Sequence, residues 1–518
     1  MQQAQAPRPD RDTPVAPWIW AAGLALFAIL LVAKLYLGAR LDLFGDGAFY
    51  WLESRHPAIS YSDVPFLTPL MVGLGTALLG DTVLGARILF IALGSTLPIA
   101  LYWLARPIAG HRDAVIAATL SLLIPVPATL GLLVIPDVPL LILSVLTLGA
   151  LERATRTGAP AWWIATGIFA ALAFNAHYRF AFFALAVLLY LTLTREGRTH
   201  WRHRNLYIAT AIALIGLAPV LWFNLSNRLA GVAFHFVDRH PWAFDPQGLY
   251  YLVTQAIWVT PILFAAFALT LWHVIQRARA GTDRAPLMIW FPAAYLIPFT
   301  LLSPWAVGGN ATTGHWSLFA YIPLLIYLPA TLRVIGRWAW IVPASGVAFM
   351  VLVLTSVTLT AHYPTISDTA RRLATDKLSG WPEVGAATEA KLAEFALPPD
   401  TPILTDTYYL STQLAHTTKR TTGIYNLDND KIFRHGRAVQ RAIWGFDEAG
   451  LRRGHAGDRA LVILEQGLNS AQLCSIFDTL RPAGRFAVFE GERQYRYFIG
   501  DGIAADALVG SDCVEETG

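Results

Sequence analysis

The sequence predicts a polytopic α-helical membrane protein of about eleven spans with a C-terminal α/β domain, and three observations carry that expectation. The chain of 518 residues is 55% hydrophobic and only 14% charged, with a mean hydropathy of +0.47; a soluble globule needs more polar surface than this. Eleven apolar runs recur along residues 17–360, most of them near the roughly 20 residues that cross a hydrocarbon core of about 30 Å. After Thr360 the composition shifts, with Asp, Thr, Arg and Gly rising and short apolar runs replacing long ones.

In chain order the runs are Pro17–Leu37, Ile88–Ala105, Ala114–Leu133, Val138–Leu151, Ala161–Phe174, Phe180–Thr194, Leu206–Phe223, Tyr250–Ile275, Pro286–Leu302, Trp316–Leu332 and Trp338–Thr360. The first is too long for a signal peptide and ends without a small-residue cleavage site, so it reads as an anchor. Arginines decide orientation. Fifteen lie in the N-terminus (Arg8, Arg11) and the connectors of one side, six (Arg40, Arg55, Arg87, Arg179, Arg228, Arg239) on the other. The richer side belongs in the cytoplasm. The loops at 38–87 and 224–249, and everything after the last span, are then expected in the periplasm of a bacterial inner-membrane protein.

The tail, 361–518, is expected to be a small periplasmic domain. Strand-like runs at Pro402–Leu410, Ala460–Gly467 and Arg485–Gly491 alternate with helical stretches near Glu383–Phe395 and Ala471–Leu480. Cys474 and Cys513 both lie there; they can pair in an oxidising compartment or sit as two buried thiols.

Polar residues gather at the outer ends of the runs. The loop Gly45–Leu70 carries Asp46, Tyr50, Glu53, Arg55, His56, Tyr61 and Asp63 among three prolines. Asp137 opens the fourth run, where a carboxylate either caps the helix or faces a cavity. Asn175, His177, Tyr178 and Arg179 fill a short junction between the fifth and sixth, and an arginine at that depth needs an anion or must reach out to lipid headgroups. After the seventh come Asn224, Asn227, Arg228, His235, Asp238, Arg239 and His240, a set that also fits a helix lying on the membrane. His315 and Trp316 open the tenth, where such pairs commonly form an interfacial belt.

Several functions find no support. The net charge of +4 comes from dispersed connector arginines, without the basic stripe of a nucleic-acid binder. HExxH, CxxC, EF-hand, Walker A, GxSxG and Rossmann patterns are missing, so no metal, cofactor or nucleotide is expected.

The ordered set DGAFYW, YSDVPFLTPL, LGDTVLGARI, PDVPL and Asn175-Ala176-His177-Tyr178-Arg179 resembles the GT-C glycosyltransferases of the protein O-mannosyltransferase and lipid A aminoarabinose transferase superfamily, over Trp18 to Tyr321. The resemblance implies a polyprenyl-phosphate sugar donor, a periplasmic lipid A, lipopolysaccharide or other envelope glycan acceptor, and a site facing outward among membrane lipids. It matches Asp46 to the catalytic first-loop acid, Asp63 to the acid before the proline pair, and Asp137 to the carboxylate opening the fourth span. The chain departs from the pattern at Gly47, Val64, Phe66 and the Ala176-His177 step. Without a basic residue at Val64, the donor phosphate is expected to bind Arg179, His177 and Arg239, with Tyr50, Tyr61, Tyr178, His235 and His315 as substrate contacts. The expected chemistry is an inverting displacement in which Asp46 takes or orients the acceptor proton. Competing readings are a protein O-glycosyltransferase using the same donor class, and a transporter or flippase, which would place charges within the spans.

Overall fold

The computed structural model describes residues 14–240, 242–306, 311–362, 377–429, 432, 437–465, 467, 469–489, 493–507 and 513–514. Arg8 and Arg11 and the end of the run Arg485–Gly491 lie outside them, whereas the expected domain boundary at 360/361 falls within the helix Ile341–His362. Among the described residues, seven helices are long and apolar enough to cross a membrane, and up to nine when two bent pairs are each counted as one span. These are fewer than the eleven runs, for identifiable reasons. Val83–Ser121 is continuous over 39 residues, but at ~1.5 Å per residue it would extend ~58 Å, about twice a bilayer core. Gly110, with φ +84°, breaks it inside, as two separate runs require. Phe180–Leu193 turns by 85° into Arg195–Arg202, and Arg204–Ile215 by 42° into Ala218–Ser226. Pro160–Ala176 is apolar but short.

The first loop is more regular than its prolines and glycines imply. Gly45–Arg55 forms a helix and Leu67–Leu79 another, separated by a turn pinned by the bridge Ser60–Pro65. The first is buried along Gly47–Glu53 and joins the main core through Phe49, Tyr50 and Trp51. Aromatic bulk on most of its circumference is stable only if something covers both sides.

That cover is the tail. Its five-stranded sheet has the order β2-β1-β3-β5-β4, with β1 (Ile403–Thr405), β2 (Ile424–Asn426), β3 (Ala460–Leu464), β4 (Phe477–Val488) and β5 (Arg493–Ile503). β1 pairs parallel with β2 and β3, while β5 runs antiparallel between β3 and β4. The first strand is shorter than Pro402–Leu410 because Thr407 accepts the Leu410 N–H and starts a helix, Tyr408–Thr418. Helix near Ala471–Leu480 ends at Cys474, since Phe477 onward pairs with β5. Cys474 and Cys513 form a disulfide.

The tail docks onto the first loop. Gln413 donates to the Leu43 carbonyl at 2.5 Å, Gln440 accepts the Ser62 N–H at 3.0 Å, and Trp381 donates its N–H to Asp42 at 3.0 Å. Trp444 packs on Phe49 and on His56. A Cβ at Gly45 would lie 1.7 Å from the Tyr409 ring, so only glycine lets the tail approach there.

Candidate active site

Asp46 occupies the first turn of the helix Gly45–Arg55, where the helix dipole favours a carboxylate. Asp63 sits in the turn that follows. Both accept from one guanidinium, that of Arg437 in the tail. Its Nη2 lies 2.9 Å from Asp46 Oδ1 and its Nη1 is hydrogen-bonded to Asp63 Oδ2. The ion pairs leave the Asp63 and Arg437 side chains 6% and 5% exposed, and Asp46 31% exposed. The Tyr408 hydroxyl also donates to Asp46 Oδ1, at 3.3 Å. Phe49 lies 4.1 Å under the guanidinium, with Tyr50 and Tyr408 at 5.6 and 5.5 Å. The two carboxylates hold Arg437 firmly charged against its own burial.

Glu53 is fully buried beside this cluster, and neither of its oxygens finds a donor. Desolvation and the neighbouring Asp63 push its pKa far above the usual carboxylate range, which favours the protonated form beside Asp63. With Glu53 protonated, the cluster sets two carboxylates against one guanidinium.

A second assembly is built within the helical part. Arg179 donates through both Nη atoms to Asp137, each at 2.8 Å, closing a bidentate pair. His315 Nε2 lies 3.8 Å from Asp137. Arg179 and Arg239 both face the ring of Trp316, at 5.2 and 4.6 Å. Among the described residues no carboxylate lies within ion-pair distance of Arg239. Burial and the charge of Arg179 press its pKa down, while Asp46 pulls it back up; the two assemblies thus act on one space.

His177 Nδ1 accepts the Arg179 N–H at 3.1 Å. Burial and the surrounding cations depress its pKa well below the ordinary histidine value. It is neutral at physiological pH and can offer one N–H, at Nε2. His235 is likewise pushed down, to about 3, by burial and Arg239, and its Nε2 lies 3.2 Å from the Asp63 carbonyl, to which it donates. Tyr178 packs on His235 at 4.6 Å and donates to the Tyr61 carbonyl at 3.4 Å. The Tyr61 hydroxyl is committed to the turn, donating to the Glu53 carbonyl at 3.0 Å and accepting the Ala58 N–H at 3.1 Å.

The residues expected from the sequence are thus brought together, Asp46, Tyr50 and Asp63 on one side and Asp137, His177, Arg179, Arg239 and His315 on the other. Sequence reasoning missed Arg437 and Tyr408. It sought the cations for the first loop only at the junctions after the fifth and seventh runs; the cation bound to Asp46 and Asp63 comes from the tail instead. The signal was a deficit: three carboxylic acids in the loop and a valine at position 64.

Comparison with known proteins agrees with this architecture. Residues 63–223 match the family described as dolichyl-phosphate-mannose-protein mannosyltransferase. The lipid A galacturonosyltransferase RgtD of Rhizobium johnstonii is 24% identical over 287 residues, 54% of this chain and 59% of that protein. The match thus spans little more than half the length of that relative. Two crystal structures of ArnT from Cupriavidus metallidurans superpose over nearly the whole chain. The complex with undecaprenyl phosphate gives a TM-score of 0.62 with 96% of this chain and 100% of that one covered, and the apo state 0.63 with 95% and 99%, each at 16% identity. The chain has the fold of ArnT, and its similarity to the mannosyltransferase family and to RgtD supports the GT-C glycosyltransferase superfamily.

Proposed function

We propose that the protein is a membrane glycosyltransferase that moves a sugar from a polyprenyl-phosphate donor to a lipid A, lipopolysaccharide or related envelope glycan. The observation that carries this reading is the pairing, in one space, of a partly exposed carboxylate, Asp46, with a half-buried arginine, Arg239, that lacks a carboxylate partner among the described residues. A half-buried guanidinium without a counter-ion favours an anion beside it, and the anion of a polyprenyl-linked sugar is its phosphate. That an ArnT of the same fold binds undecaprenyl phosphate supports the donor class, and the likeness to RgtD supports a lipid A-type acceptor.

A sugar on a lipid phosphate already carries a good leaving group, so the protein chiefly orients the reactants and stabilises the departing anion. Asp46 directs an acceptor hydroxyl at the anomeric carbon and receives its proton as the new bond forms. The bond to the phosphate oxygen breaks with inversion, and the phosphate leaves toward Arg239, with Arg179 and the His177 N–H beside it. Asp63 and Asp137 hold the two ends of the site in register. A disulfide in the tail fits an oxidising periplasm, and the arginine distribution supports an inner-membrane protein with site and tail facing it.

The test is direct. Purified protein in proteoliposomes is given a panel of undecaprenyl-phosphate sugars with envelope extract, and products are followed by mass. Transfer of one sugar mass to a lipid or glycan is expected. Transfer only to protein would replace the acceptor assignment, and movement of intact donor across the bilayer without transfer would replace the enzyme reading.

A further inference from the structure

We infer that Arg437, delivered by the tail, is the positioning residue of the site: its fork sets Asp46 against Asp63, and the site is incomplete without it. The inference rests on the proposed sugar-transfer reading of that site. It concerns a residue outside the membrane-embedded part of the chain, 391 positions from Asp46 and 374 from Asp63.

The geometry separates the roles of the two carboxylates. Asp63 is buried and serves as an anchor; Asp46 is partly open. On Asp46 both the Arg437 and the Tyr408 bonds fall on Oδ1, which leaves Oδ2 as the oxygen that can meet an acceptor hydroxyl. A planar guanidinium can hold two carboxylates at a set separation and angle, whereas a lysine ammonium is a point charge without that directionality. Arg437 itself is fixed by the Phe49 ring beneath it and by the start of the helix Ala438–Trp444, whose Gln440 is hydrogen-bonded to Ser62.

Charge bookkeeping points the same way. With Glu53 neutral, removing Arg437 would leave two carboxylates without their shared cation, and they would separate or share a proton. Each outcome disturbs Asp46 before it disturbs donor binding. The effect of Arg437 should therefore fall on kcat.

The experiment uses the full chain in proteoliposomes with whichever donor and extract support transfer. Arg437→Ala is expected to lower kcat by ~100-fold or more while the donor KM stays within ~3-fold. Guanidinium chloride at millimolar concentration should recover at least ~10-fold of that loss, and Arg437→Lys should fall between the two. Turnover of Arg437→Ala within ~3-fold of the unsubstituted chain overturns the inference, and so does a higher KM at constant kcat, which would make Arg437 a donor ligand. A loss that guanidinium does not recover also overturns it, marking the arginine as a fastening of the tail. Hydrogen exchange over residues 45–63 needs no transfer: Arg437→Ala should speed exchange at both carboxylate-bearing segments, and unchanged exchange overturns the inference. Absence of transfer by the unsubstituted chain with every donor would instead break the proposed function.

Discussion

Asp137–Arg179 and Asp46–Arg437–Asp63 are both carboxylate–arginine assemblies at the same site, yet they are made in opposite ways. The first joins the start of one helix, Asp137–Thr157, to the junction 42 residues later; one cation meets one anion with both forks filled. The second joins the first loop to a separate folded domain, and one cation serves two anions. A closed pair leaves little charge to spare for the phosphate beside it, so its larger contribution is structural. An open triad keeps a carboxylate edge available and ties its geometry to the docking of the tail. The contrast assigns stability to the first assembly and chemistry to the second.

The largest expected effect breaks the second assembly at its open end. Asp46→Asn keeps an oxygen for Arg437 but removes the proton acceptor, and loss of a general base typically lowers turnover by ~10²–10⁴-fold. Melting of the detergent-solubilised protein should hardly change. Near-normal transfer by Asp46→Asn would remove Asp46 from the chemistry and, with it, the contrast just drawn.

The same chemical change in the first assembly should do the reverse. Asp137→Asn leaves Arg179 charged, largely buried and without its partner, an error that commonly costs ~3–5 kcal/mol. The double variant Asp137→Asn with Arg179→Gln should recover part of that loss, because the buried charge goes with its partner. Thermal unfolding of the two variants is the measurement. If Asp137→Asn melts normally but stops turnover, the pair is catalytic and the assignment reverses.

A smaller effect lies between the assemblies. Arg239→Gln removes the guanidinium proposed to meet the donor phosphate, and a charge-assisted contact of ~1.5–3 kcal/mol corresponds to a donor KM raised ~10- to 100-fold. Arg239→Lys keeps the charge but loses the flat contact with Trp316, so it should recover only part of the affinity. Titration with undecaprenyl phosphate itself reads this without turnover.

How much of this was legible in the sequence follows the range of the interactions. Spans, the α/β tail and the carboxylates at the helix mouths follow from composition and short motifs, because each is decided within about 20 residues. Asp137 with Arg179 could be anticipated as two charges at adjacent helix ends on one face. Arg437 could not. It lies among Arg434, Arg437 and Arg441 in a polar stretch of the tail, and only the docking of that domain distinguishes it from its neighbours. The same blindness made Tyr408 part of a strand, since the Thr407 cap competes with β propensity at the end of β1.

Glu53 offers the finest test of the charge count in the triad. Its carboxyl is raised well above 4.5 in the folded protein by desolvation first and by Asp63 second. The folded state therefore holds a proton that the unfolded chain releases above that value, and folding stability falls as pH rises from about 4.5 toward the folded-state pKa. Glu53→Gln keeps the shape and a donor for Asp63 but has nothing to ionise. It should melt higher than the unsubstituted protein at pH 7 to 8, and the advantage should shrink as the pH is lowered toward 4.5. A stabilisation that does not vary with pH would mean that Glu53 is not protonated in the fold. Destabilisation at neutral pH would mean that it is an anion paired with Arg437, and the triad would then hold three negative charges rather than two.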